Sequence, residues 1–429
     1  MVDDARLIYE AAIKSVLPET LMPNVISLSG NVLRVGEEQV ELENNHNIWI
    51  FGAGKAAASM AQVTERILGN RVAGGIIITK YRHALPLNKV QVYEAGHPAP
   101  DENSLMATNK LLDYSSRIAP TDIVIFLLSG GASSLLLDVP EGLQLADVIS
   151  LNNSLLRSGA SIHQFNAIRK SISQVKGGGL LRYFAPTRVF SLIVSDVPGD
   201  NIAEIGSAPT LMSHDSAEDS ISLLKSLNLW TVLSPRIKDY LLDKNNKKPG
   251  PETSPHSTVT NLLIGNNRIA LEKAAEKAKT LGYMPYIHEG ILEGESERVA
   301  ETVLDEALSD KETGKRCYIF GSESTVKVNG NGKGGRCQHM ALSALHQLEK
   351  IKPDVVFFAA GTDGQDGMME VAGAYINRNS FYIAQAKGIG PGAYLSNCDS
   401  YGFFAQIGGH VTVGPTHTNV MDVIMVLKQ

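Results

Sequence analysis

The segment IWIFGAGKAAASMAQ (residues 48–62) joins an apolar run to a stretch of small, helix-forming residues. Two glycines separate the two parts, and Lys55 directly follows the second glycine. An apolar run that enters a glycine turn and continues as a helix is typical of a strand–turn–helix unit in a parallel sheet. We therefore predict a strand over 47–52 and a helix over 55–68.

The same alternation of apolar runs and helical patterns continues through the first half of the chain. We predict strands over Gly75–Thr79, Val90–Tyr93, Ile123–Ser129 and Val189–Ser195. We predict helices over Asp4–Leu17, Ser104–Ser116, Leu145–Ser158 and Ile162–Val175. Strands of this buried type that alternate with helices indicate a mainly parallel sheet covered on both faces. In such a sheet, ligands bind beyond the carboxyl ends of the strands, where most glycine clusters of this sequence fall.

A polar, proline-rich segment, Asp243–Ser257, interrupts this pattern and is typical of a linker or a long surface loop. After it we predict strands over Val259–Gly265, Tyr283–His288, Arg316–Phe320, Ser324–Val328, Val355–Ala360 and Val423–Val426. We predict helices over Arg268–Leu281, Ser296–Leu308 and Gln338–Leu348. The short gap between 316–320 and 324–328 indicates an antiparallel pair, and therefore a second, mixed sheet. The sequence thus predicts two α/β domains, residues 1–240 and 241–429.

The composition of the chain excludes several classes of protein. Its 429 residues carry a net charge of −6, so the basic clusters of a nucleic-acid or membrane-surface binder are not expected. Three cysteines without a CxxC spacing argue against a disulfide framework or a structural zinc site and favour a reducing cytoplasm. The sequence contains no run of about 18 apolar residues, so we expect no transmembrane helix.

The turn after the first strand matches two phosphate-binding patterns imperfectly. Residues Gly52–Ala57 fit G-x-G-x-x-A, but the next strand leads into Lys80 without the carboxylate that holds a ribose. An NADP-binding interpretation stays open if Lys80 or Arg82 meets a 2′-phosphate. A P-loop is excluded because alanine follows Lys55 where serine or threonine is needed. What remains is a lysine at a helix start, which either favours an anion or is simply solvated.

The next glycine turn, SGGASS at Ser129–Ser134, follows a strand of the buried type and precedes a helix start. It offers backbone N–H groups and hydroxyls to an anion. A serine nucleophile would need G-x-S-x-G, which is absent, so we favour anion binding over acyl transfer. Further on, Arg169 and Lys170 follow Asn166 by three and four residues on one predicted helix, so the three share a face. That face is either part of a site or a solvated basic surface.

Carboxylates and an arginine lie at further glycine-rich strand ends. Asp196 follows a predicted strand, where it suits a magnesium ion, proton acceptance or the capping of a turn. Arg336 follows a glycine-rich stretch and begins a helix, where it suits a transferring phosphoryl group or a solvated surface. Asp363 and Asp366 lie in AAGTDGQDG, whose spacing argues against calcium and leaves magnesium, a nucleotide contact or a plain turn. Further candidate polar contacts are Thr416, Thr418 and Asn419.

Together, these motifs resemble those of the class II glycerate kinases, two-domain proteins whose carboxyl-terminal half is called the MOFRL domain. The resemblance extends from about residue 4 to the end and rests on FGAGKAA, LLSGGASSLL, FNAIRKSISQVKGGGL, IVSDVPGDNIAEIGSAPT, GGRCQHMAL and AAGTDGQDG, in the family's order. It implies a Rossmann-like α/β/α sandwich as the amino-terminal domain and an α/β carboxyl-terminal domain with a mixed sheet. It also implies an active site in a cleft between the two domains.

The resemblance implies roles for individual residues. Lys55 and Arg336 are expected to be essential for catalysis, and among the family's aspartates we expect Asp196 to be catalytic. Substrate-binding residues are expected at Ser129, Gly130, Gly131, Ala132, Ser133, Ser134, Asn166, Arg169 and Lys170. Nucleotide-binding residues are expected at Gly52, Gly54, Lys176, Gly199, Asp200, Gly334, Gly335, Asp363 and Asp366. Magnesium is expected at Asp196 and Asp363.

The implied activity is magnesium-dependent transfer of the γ-phosphoryl group of ATP to the C2 hydroxyl of D-glycerate, which gives 2-phosphoglycerate and ADP. Glycerate and ATP are the expected small-molecule partners of a monomer or homodimer that binds neither nucleic acid nor membrane. Three alternatives stay open: a kinase that forms 3-phosphoglycerate, an NAD(P)H-dependent hydroxypyruvate reductase, and a protein that binds a small organic acid without turnover.

Overall fold

The computed structural model describes residues 1–184, 186–213, 215–246, 258–349 and 353–429. The chain forms two compact units. We call the first the parallel-sheet unit (Leu21–Ser195 and Asp200–Ile264) and the second the mixed-sheet unit (Met1–Thr20, Asp196–Gly199 and Gly265–Gln429). None of the helices in the described ranges combines the length and the apolar composition needed to cross a bilayer.

The secondary structure elements are numbered in chain order. The strands are β1 (Ile26–Ser29), β2 (Val32–Val35), β3 (Glu38–Glu41), β4 (Ile48–Ala53), β5 (Val72–Lys80), β6 (Gln91–Ala95), β7 (Ile123–Leu128), β8 (Arg188–Val194), β9 (Thr258–Gly265), β10 (Met284–Glu295), β11 (Arg316–Thr325), β12 (Val355–Gly361), β13 (Gly373–Ile376), β14 (His410–Val411) and β15 (Asp422–Lys428). The helices are α1 (Val2–Ser15), α2 (Pro18–Val25), α3 (Ala57–Leu68), α4 (Glu102–Ser115), α5 (Ala132–Leu135), α6 (Leu145–Arg157), α7 (Ile162–Ser171), α8 (Leu181–Phe184), α9 (Ala217–Ser226), α10 (Pro235–Asn246), α11 (Asn267–Thr280), α12 (Ser296–Ser309), α13 (Arg336–Leu348), α14 (Arg378–Ala386), α15 (Pro391–Ser396) and α16 (Ser400–Ile407).

The parallel-sheet unit is built on a six-stranded sheet in the order β6-β5-β4-β7-β8-β9. The strands from β6 to β8 pair in parallel. Every residue of β4 and β7 is buried, which explains why both strands are unbroken apolar runs in the sequence. The predicted α/β class with a mainly parallel amino-terminal sheet is confirmed. A separate three-stranded antiparallel sheet, β1-β2-β3, was not predicted from the sequence.

Strand β9 joins a different sheet from the one that the sequence predicts. Val259–Gly265 is predicted as the first strand of the second domain, yet β9 lies beside β8 at the edge of the parallel sheet. Polar contacts hold it there: Thr260 Oγ1 donates to Glu38 Oε1 (2.6 Å), and Thr210 Oγ1 donates to Asn261 Oδ1 (2.8 Å). Contacts of this kind leave no periodic signal in the sequence. The predicted loop 243–257 is helical as far as the end of α10, and its remainder lies outside the described residues.

The mixed-sheet unit is built on a second six-stranded sheet, in the order β10-β11-β15-β12-β13-β14. Strands β10 and β11 are parallel, whereas β11 and β12 each run antiparallel to β15, so the sheet is mixed as predicted. The predicted hairpin between 316–320 and 324–328 is wrong, because β11 continues through Gly321 as one strand. A Cβ atom at Gly321 would lie 2.1 Å from Asn267 Oδ1, so this glycine permits close packing rather than a turn.

Helix α1 is first in the chain but packs in the mixed-sheet unit, against α11, β12 and β15. Its buried face includes Ala5, Ile8, Tyr9 and Ala12. The ring of Tyr9 lies 5.2 Å from that of Phe358, and its hydroxyl donates to the carbonyl oxygen of Gly361 (2.6 Å). The apolar periodicity predicts this helix correctly, but nothing in the pattern indicates which sheet the helix covers.

Candidate active site

The turn that follows β4 is fixed by hydrogen bonds to its neighbours. The N–H groups of Gly54 and Lys55 donate to the carbonyl oxygens of Ile78 (3.0 Å) and Gly130 (2.9 Å). The next N–H group, that of Ala56, donates to Ser129 Oγ (3.0 Å). Gly54 has a φ of +136°, and a Cβ atom there would lie 2.1 Å from Ser129 Oγ. The first glycine turn therefore interlocks with the second one, and only glycine fits at position 54.

Lys55 lies at the carboxyl end of β4, just before α3, and is half-buried. Its Cγ atom is 3.4 Å from the point that a Cβ atom at Gly131 would occupy, so the lysine stem runs beside the second turn. Gly52, in contrast, lies inside β4, where a Cβ atom would meet Leu127 O at 2.4 Å. Of the residues predicted in this motif, Lys55 is thus the one at the strand end, whereas Gly52 serves strand packing.

The turn Ser129–Ser134 contains three hydroxyl groups in different environments. Ser129 is fully buried and its hydroxyl accepts from the first turn, while Ser134 Oγ donates to Pro98 O (2.7 Å). Ser133 is half-buried, and its hydroxyl lies 3.1 Å from Ser207 Oγ, which in turn donates to Asn166 Oδ1 (3.0 Å). Two of the three predicted hydroxyls therefore support the turn, and Ser133 belongs to a polar network with Asn166.

Helix α7 carries the three predicted polar residues, but the structure brings only two of them to this turn. Asn166 reaches Ser133 through Ser207, and Arg169 Nη2 donates to Ser133 O (3.4 Å). Burial lowers the pKa of Arg169 to about 10. Lys170 instead forms an ion pair with Asp215 (3.2 Å). Spacing on a helix predicts a shared face, but it does not predict the partner that each side chain finds.

Lys176 is buried, and its ammonium group lies within the unit rather than at its surface. Lys176 Nζ donates to the carbonyl oxygens of Ser133 (2.9 Å) and Leu136 (2.7 Å). Burial and, to a smaller extent, the charge of Arg169 lower its pKa to about 7, against the opposing effect of Asp138. This lysine therefore holds the end of the short helix α5. Its predicted role in nucleotide binding stays a prediction.

The buried ammonium group of Lys176 makes stability depend on pH. Its pKa of about 7 in the folded chain lies below the value of about 10.4 expected in the unfolded chain. Between these values the unfolded chain binds more protons than the folded chain, so the free energy of unfolding rises with pH. The stability that Lys176 contributes at high pH is lost as the pH falls through 7. We compare the free energy of unfolding of the wild-type protein with that of Lys176→Met by urea denaturation. From about pH 7 to pH 10, the wild-type value should rise relative to that of the variant by up to about 1.4 kcal/mol per pH unit.

The exposed residue Lys225 provides the matched control for this measurement. The stability of Lys225→Met should follow that of the wild-type protein across the pH range. A constant difference between wild type and Lys176→Met at every pH would contradict the assignment of the titration to Lys176.

In the mixed-sheet unit, three strand ends meet at one edge. Because β15 runs antiparallel to β11 and β12, its first residue, Asp422, pairs with Ser322 and Gly361 near the carboxyl ends of those strands. Arg336, the first residue of α13, lies at this edge and contacts two carboxylates. Its Nε donates to Asp422 Oδ2 (2.6 Å), and its Nη2 donates to Asp422 Oδ1 (2.9 Å) and Glu323 Oε2 (3.3 Å).

This arrangement keeps the guanidinium of Arg336 charged and oriented. Burial by itself lowers the pKa of Arg336, but the carboxylates of Asp422 and Glu323 outweigh it and raise the pKa. The two parallel bonds to Asp422 also fix the plane of the guanidinium. These three bonds use Nε and Nη2 of the guanidinium.

Asp366 holds the start of α13, where both of its carboxylate oxygens accept hydrogen bonds. Its carboxylate accepts from the N–H groups of Cys337 (3.0 Å) and Gln338 (2.8 Å) and from Gln338 Nε2 (2.9 Å). Burial raises the pKa of Asp366 to about 6 despite these hydrogen bonds. A Cβ atom at Gly335 would lie 2.3 Å from Asp366 Oδ1, and one at Gly334 would lie 2.1 Å from Ser400 Oγ. Both glycines of the GGR motif therefore permit close packing around Arg336.

The other predicted aspartates occupy different positions. Asp363 Oδ1 accepts from the N–H group of Gln365 (3.1 Å), and it lies beside Gly361, as does Asp422. Asp196 belongs to the mixed-sheet unit, where its Oδ2 accepts from Asn419 Nδ2 (2.9 Å). Gly199 is grouped with this unit, whereas Asp200 is grouped with the parallel-sheet unit. The remaining candidates use their hydroxyls internally: Thr416 donates to Thr362 O (2.6 Å) and Thr418 to Val16 O (2.8 Å).

Sequence reasoning missed Asp422, which makes the closest contact to Arg336. The residue directly precedes the apolar run 423–427, so a carboxylate at a strand end was visible in the sequence. Its meaning depended on the direction of β15 in the sheet, which the pattern does not give. Glu323 was visible for the same reason but was not among the predicted site residues.

Two family models match the chain: "Domain of unknown function (DUF4147)" over residues 4–242 and the MOFRL family over residues 316–422. A D-glycerate 2-kinase from Thermotoga maritima is 36% identical over 91% of this chain and 93% of its own length. A putative hydroxypyruvate reductase from Agrobacterium vitis is also 36% identical, over 88% of this chain and 86% of its own length. The crystal structure of a glycerate kinase from Thermotoga maritima has a TM-score of 0.83 at 33% identity and covers 100% of both chains. The chain therefore belongs to the class II glycerate kinase family, whose members join these two domains.

Proposed function

We propose that the protein catalyses transfer of the γ-phosphoryl group of ATP to the C2 hydroxyl of D-glycerate, which yields 2-phosphoglycerate and ADP. The relatives that carry a glycerate kinase name support the acceptor and the type of reaction. Their similarity to this chain covers both units.

The turn at Gly54–Ala56 is the observation that favours a kinase over a dinucleotide-dependent reductase. In a dinucleotide-binding turn, backbone N–H groups at the start of the helix hold the pyrophosphate. Here the N–H groups of Gly54, Lys55 and Ala56 donate to acceptors within the protein. A pyrophosphate would have to displace all three hydrogen bonds. We therefore assign this turn to the positioning of Lys55.

The proposed roles follow from the charges and hydrogen-bonding groups in each unit. In the parallel-sheet unit, Lys55 and Arg169 supply positive charge for the carboxylate of glycerate, and Ser133 and Asn166 supply polar contacts. In the mixed-sheet unit, Arg336 offers Nη1 to the transferring phosphoryl group. Phosphoryl transfer depends mainly on such positioning and on neutralisation of charge.

Magnesium forms part of the proposal because of the carboxylates around Arg336. The single positive charge of the guanidinium is smaller than the combined negative charge of three carboxylates, those of Glu323, Asp363 and Asp422. Bound ATP adds further negative charge. In the described ranges, no group of three or more His, Cys, Asp or Glu side chains could hold a metal ion. Mg²⁺ usually keeps several waters and binds one or two carboxylates together with substrate phosphates. We propose Asp196 and Asp363 for this limited role, in which the ion would offset charge on the phosphate oxygens.

A coupled assay tests the proposed function. The protein is given D-glycerate, ATP and Mg²⁺, and the product is offered to enolase, which consumes 2-phosphoglycerate directly but not 3-phosphoglycerate. We expect turnover without added mutase, loss of turnover with excess EDTA, and recovery when Mg²⁺ is restored.

Two results would contradict parts of the proposal. Turnover that requires a phosphoglycerate mutase would show that the C3 hydroxyl is the acceptor. Oxidation of NADPH by hydroxypyruvate, with no ATP-dependent product from glycerate, would favour instead the activity in the name of the Agrobacterium vitis relative.

A further inference from the structure

His97 lies at a third strand end of the parallel-sheet unit, two residues beyond β6. Its backbone is fixed on both sides. The N–H group of Gly96 donates to Asp101 Oδ1 (3.1 Å), and the carbonyl oxygen of Pro98 accepts from Ser134 Oγ (2.7 Å). The second bond ties His97 to the Ser129–Ser134 turn of β7, so the position of this histidine is set by the same turn that adjoins Lys55.

The imidazole of His97 points its Cδ2–Nε2 edge at Gly131. A Cβ atom at Gly131 would lie 2.9 Å from His97 Cδ2, 3.0 Å from Nε2 and 3.4 Å from Lys55 Cγ. Gly131 has a φ of +85°, and a side chain there would also collide with the imidazole. The absence of a side chain at position 131 thus lets an imidazole and a lysine stem approach the same point.

The chemistry of these two side chains differs in a way that matches glycerate. An ammonium group such as that of Lys55 pairs with an anion. A neutral imidazole nitrogen donates or accepts a hydrogen bond according to its tautomer. A hydroxyl group can pair with it in either case, because it both donates and accepts, whereas a carboxylate can only accept. His97 is half-buried, so a hydrogen bond to it competes less with water than one at an exposed residue.

We propose that His97 binds a hydroxyl group of the acceptor substrate beside Lys55, and so selects a hydroxy acid over a simple carboxylic acid. The assignment rests on the proposed phosphorylation of glycerate and adds to it a residue that contacts the substrate. A hydrogen bond between His97 and that hydroxyl favours substrates that carry it over analogues that lack it.

The test compares His97→Leu, which removes the polar edge, with His97→Gln, whose amide can donate or accept near the position of Nε2. In the enolase-coupled assay we expect kcat/KM for D-glycerate to fall about 10- to 100-fold in His97→Leu. We expect His97→Gln to stay within about fivefold of wild type. Propionate, which has the same carbon chain without hydroxyls, serves as a competitive inhibitor. Its inhibition constant should be unchanged in His97→Leu.

The matched control is His46→Leu, because His46 precedes β4 and lies near the opposite, amino edge of the same sheet. Its kinetics should equal those of the wild type. An unchanged kcat/KM in His97→Leu, or an equal loss of glycerate turnover and propionate binding, would overturn the assignment of His97 to a hydroxyl. Failure of the wild-type protein to phosphorylate glycerate would instead contradict the proposed function. This result comes from the wild-type protein, whereas the assignment of His97 is tested on its variants.

Discussion

Replacing Arg336 with alanine is expected to lower kcat for glycerate phosphorylation by about 10³- to 10⁵-fold, the range found when an arginine that neutralises a transferring phosphoryl group is lost. The guanidinium is already oriented by two bonds to Asp422 and one to Glu323. Lysine cannot reproduce the two parallel bonds, so Arg336→Lys should retain little more activity than Arg336→Ala. Steady-state kinetics in the enolase-coupled assay measure both variants.

The loss of Arg336 also has a structural cost that must be measured separately. Asp422 is fully buried, and removal of one member of a buried ion pair typically costs about 3–5 kcal/mol. Because 34% of the Arg336 side chain is exposed, we expect a smaller loss, about 2 kcal/mol, in the free energy of unfolding. Asp422→Asn breaks the same pair but keeps the guanidinium, so it should lose similar stability and only about 10- to 100-fold in kcat. Equal losses of kcat in the two variants would show that Arg336 acts through the fold alone.

Lys55→Met should lower kcat/KM for glycerate by about 10²- to 10³-fold, the cost of removing one oriented charged donor from a reaction of this kind. Methionine keeps the unbranched stem that runs beside Gly131, so the melting temperature should change little. Lys55→Arg retains the charge but not its position and should be impaired as well. Kinetics and thermal unfolding of the same preparations test the prediction.

The control for Lys55 is Lys110→Met, at an exposed lysine of α4 in the same unit. It should match the wild-type protein in both measurements. If Lys55→Met turned over glycerate at the wild-type rate, the proposed role of this lysine would be wrong, however close it lies to the second glycine turn.

The elements that the sequence predicts best are those whose environment repeats along the chain. Strands β4 and β7 are buried on both faces, so every residue is apolar and the run ends where the glycine turn begins. The carboxyl ends of parallel strands lie at one edge, so the nearness of Lys55 to the Ser129–Ser134 turn also follows from the pattern. These predictions need only the periodicity and the direction of a parallel sheet.

The mixed sheet was harder because its site depends on strand direction. Asp422 begins β15, and it reaches Arg336 only because β15 runs antiparallel to β11 and β12. Gly321 lies in the gap between 316–320 and 324–328 that predicts a hairpin, whereas it provides room for Asn267 within a continuous strand. The sequence alone does not distinguish a glycine that makes a turn from one that allows close packing within a strand, because the difference lies in the residues that pack against it.

Side chains on one helix illustrate a further limit. Arg169 and Lys170 are adjacent in the sequence, and spacing puts both on the face of Asn166. Arg169 contacts Ser133, whereas Lys170 forms an ion pair with Asp215, which lies 45 residues later in the chain. The competing carboxylate lies in a loop without periodicity, and the sequence gives no measure of its distance.

Helix α1 gives the molecule an order of assembly. A ribosome makes this helix before any residue of the sheet that it covers, so its apolar face has no partner until residues 265–429 have been synthesised. The parallel-sheet unit has all of its strands once the chain reaches Gly265, well before β12 and β15 exist. The mixed-sheet unit is therefore completed last, and a gene fragment that begins at Gly265 encodes this unit without α1, which packs against α11, β12 and β15.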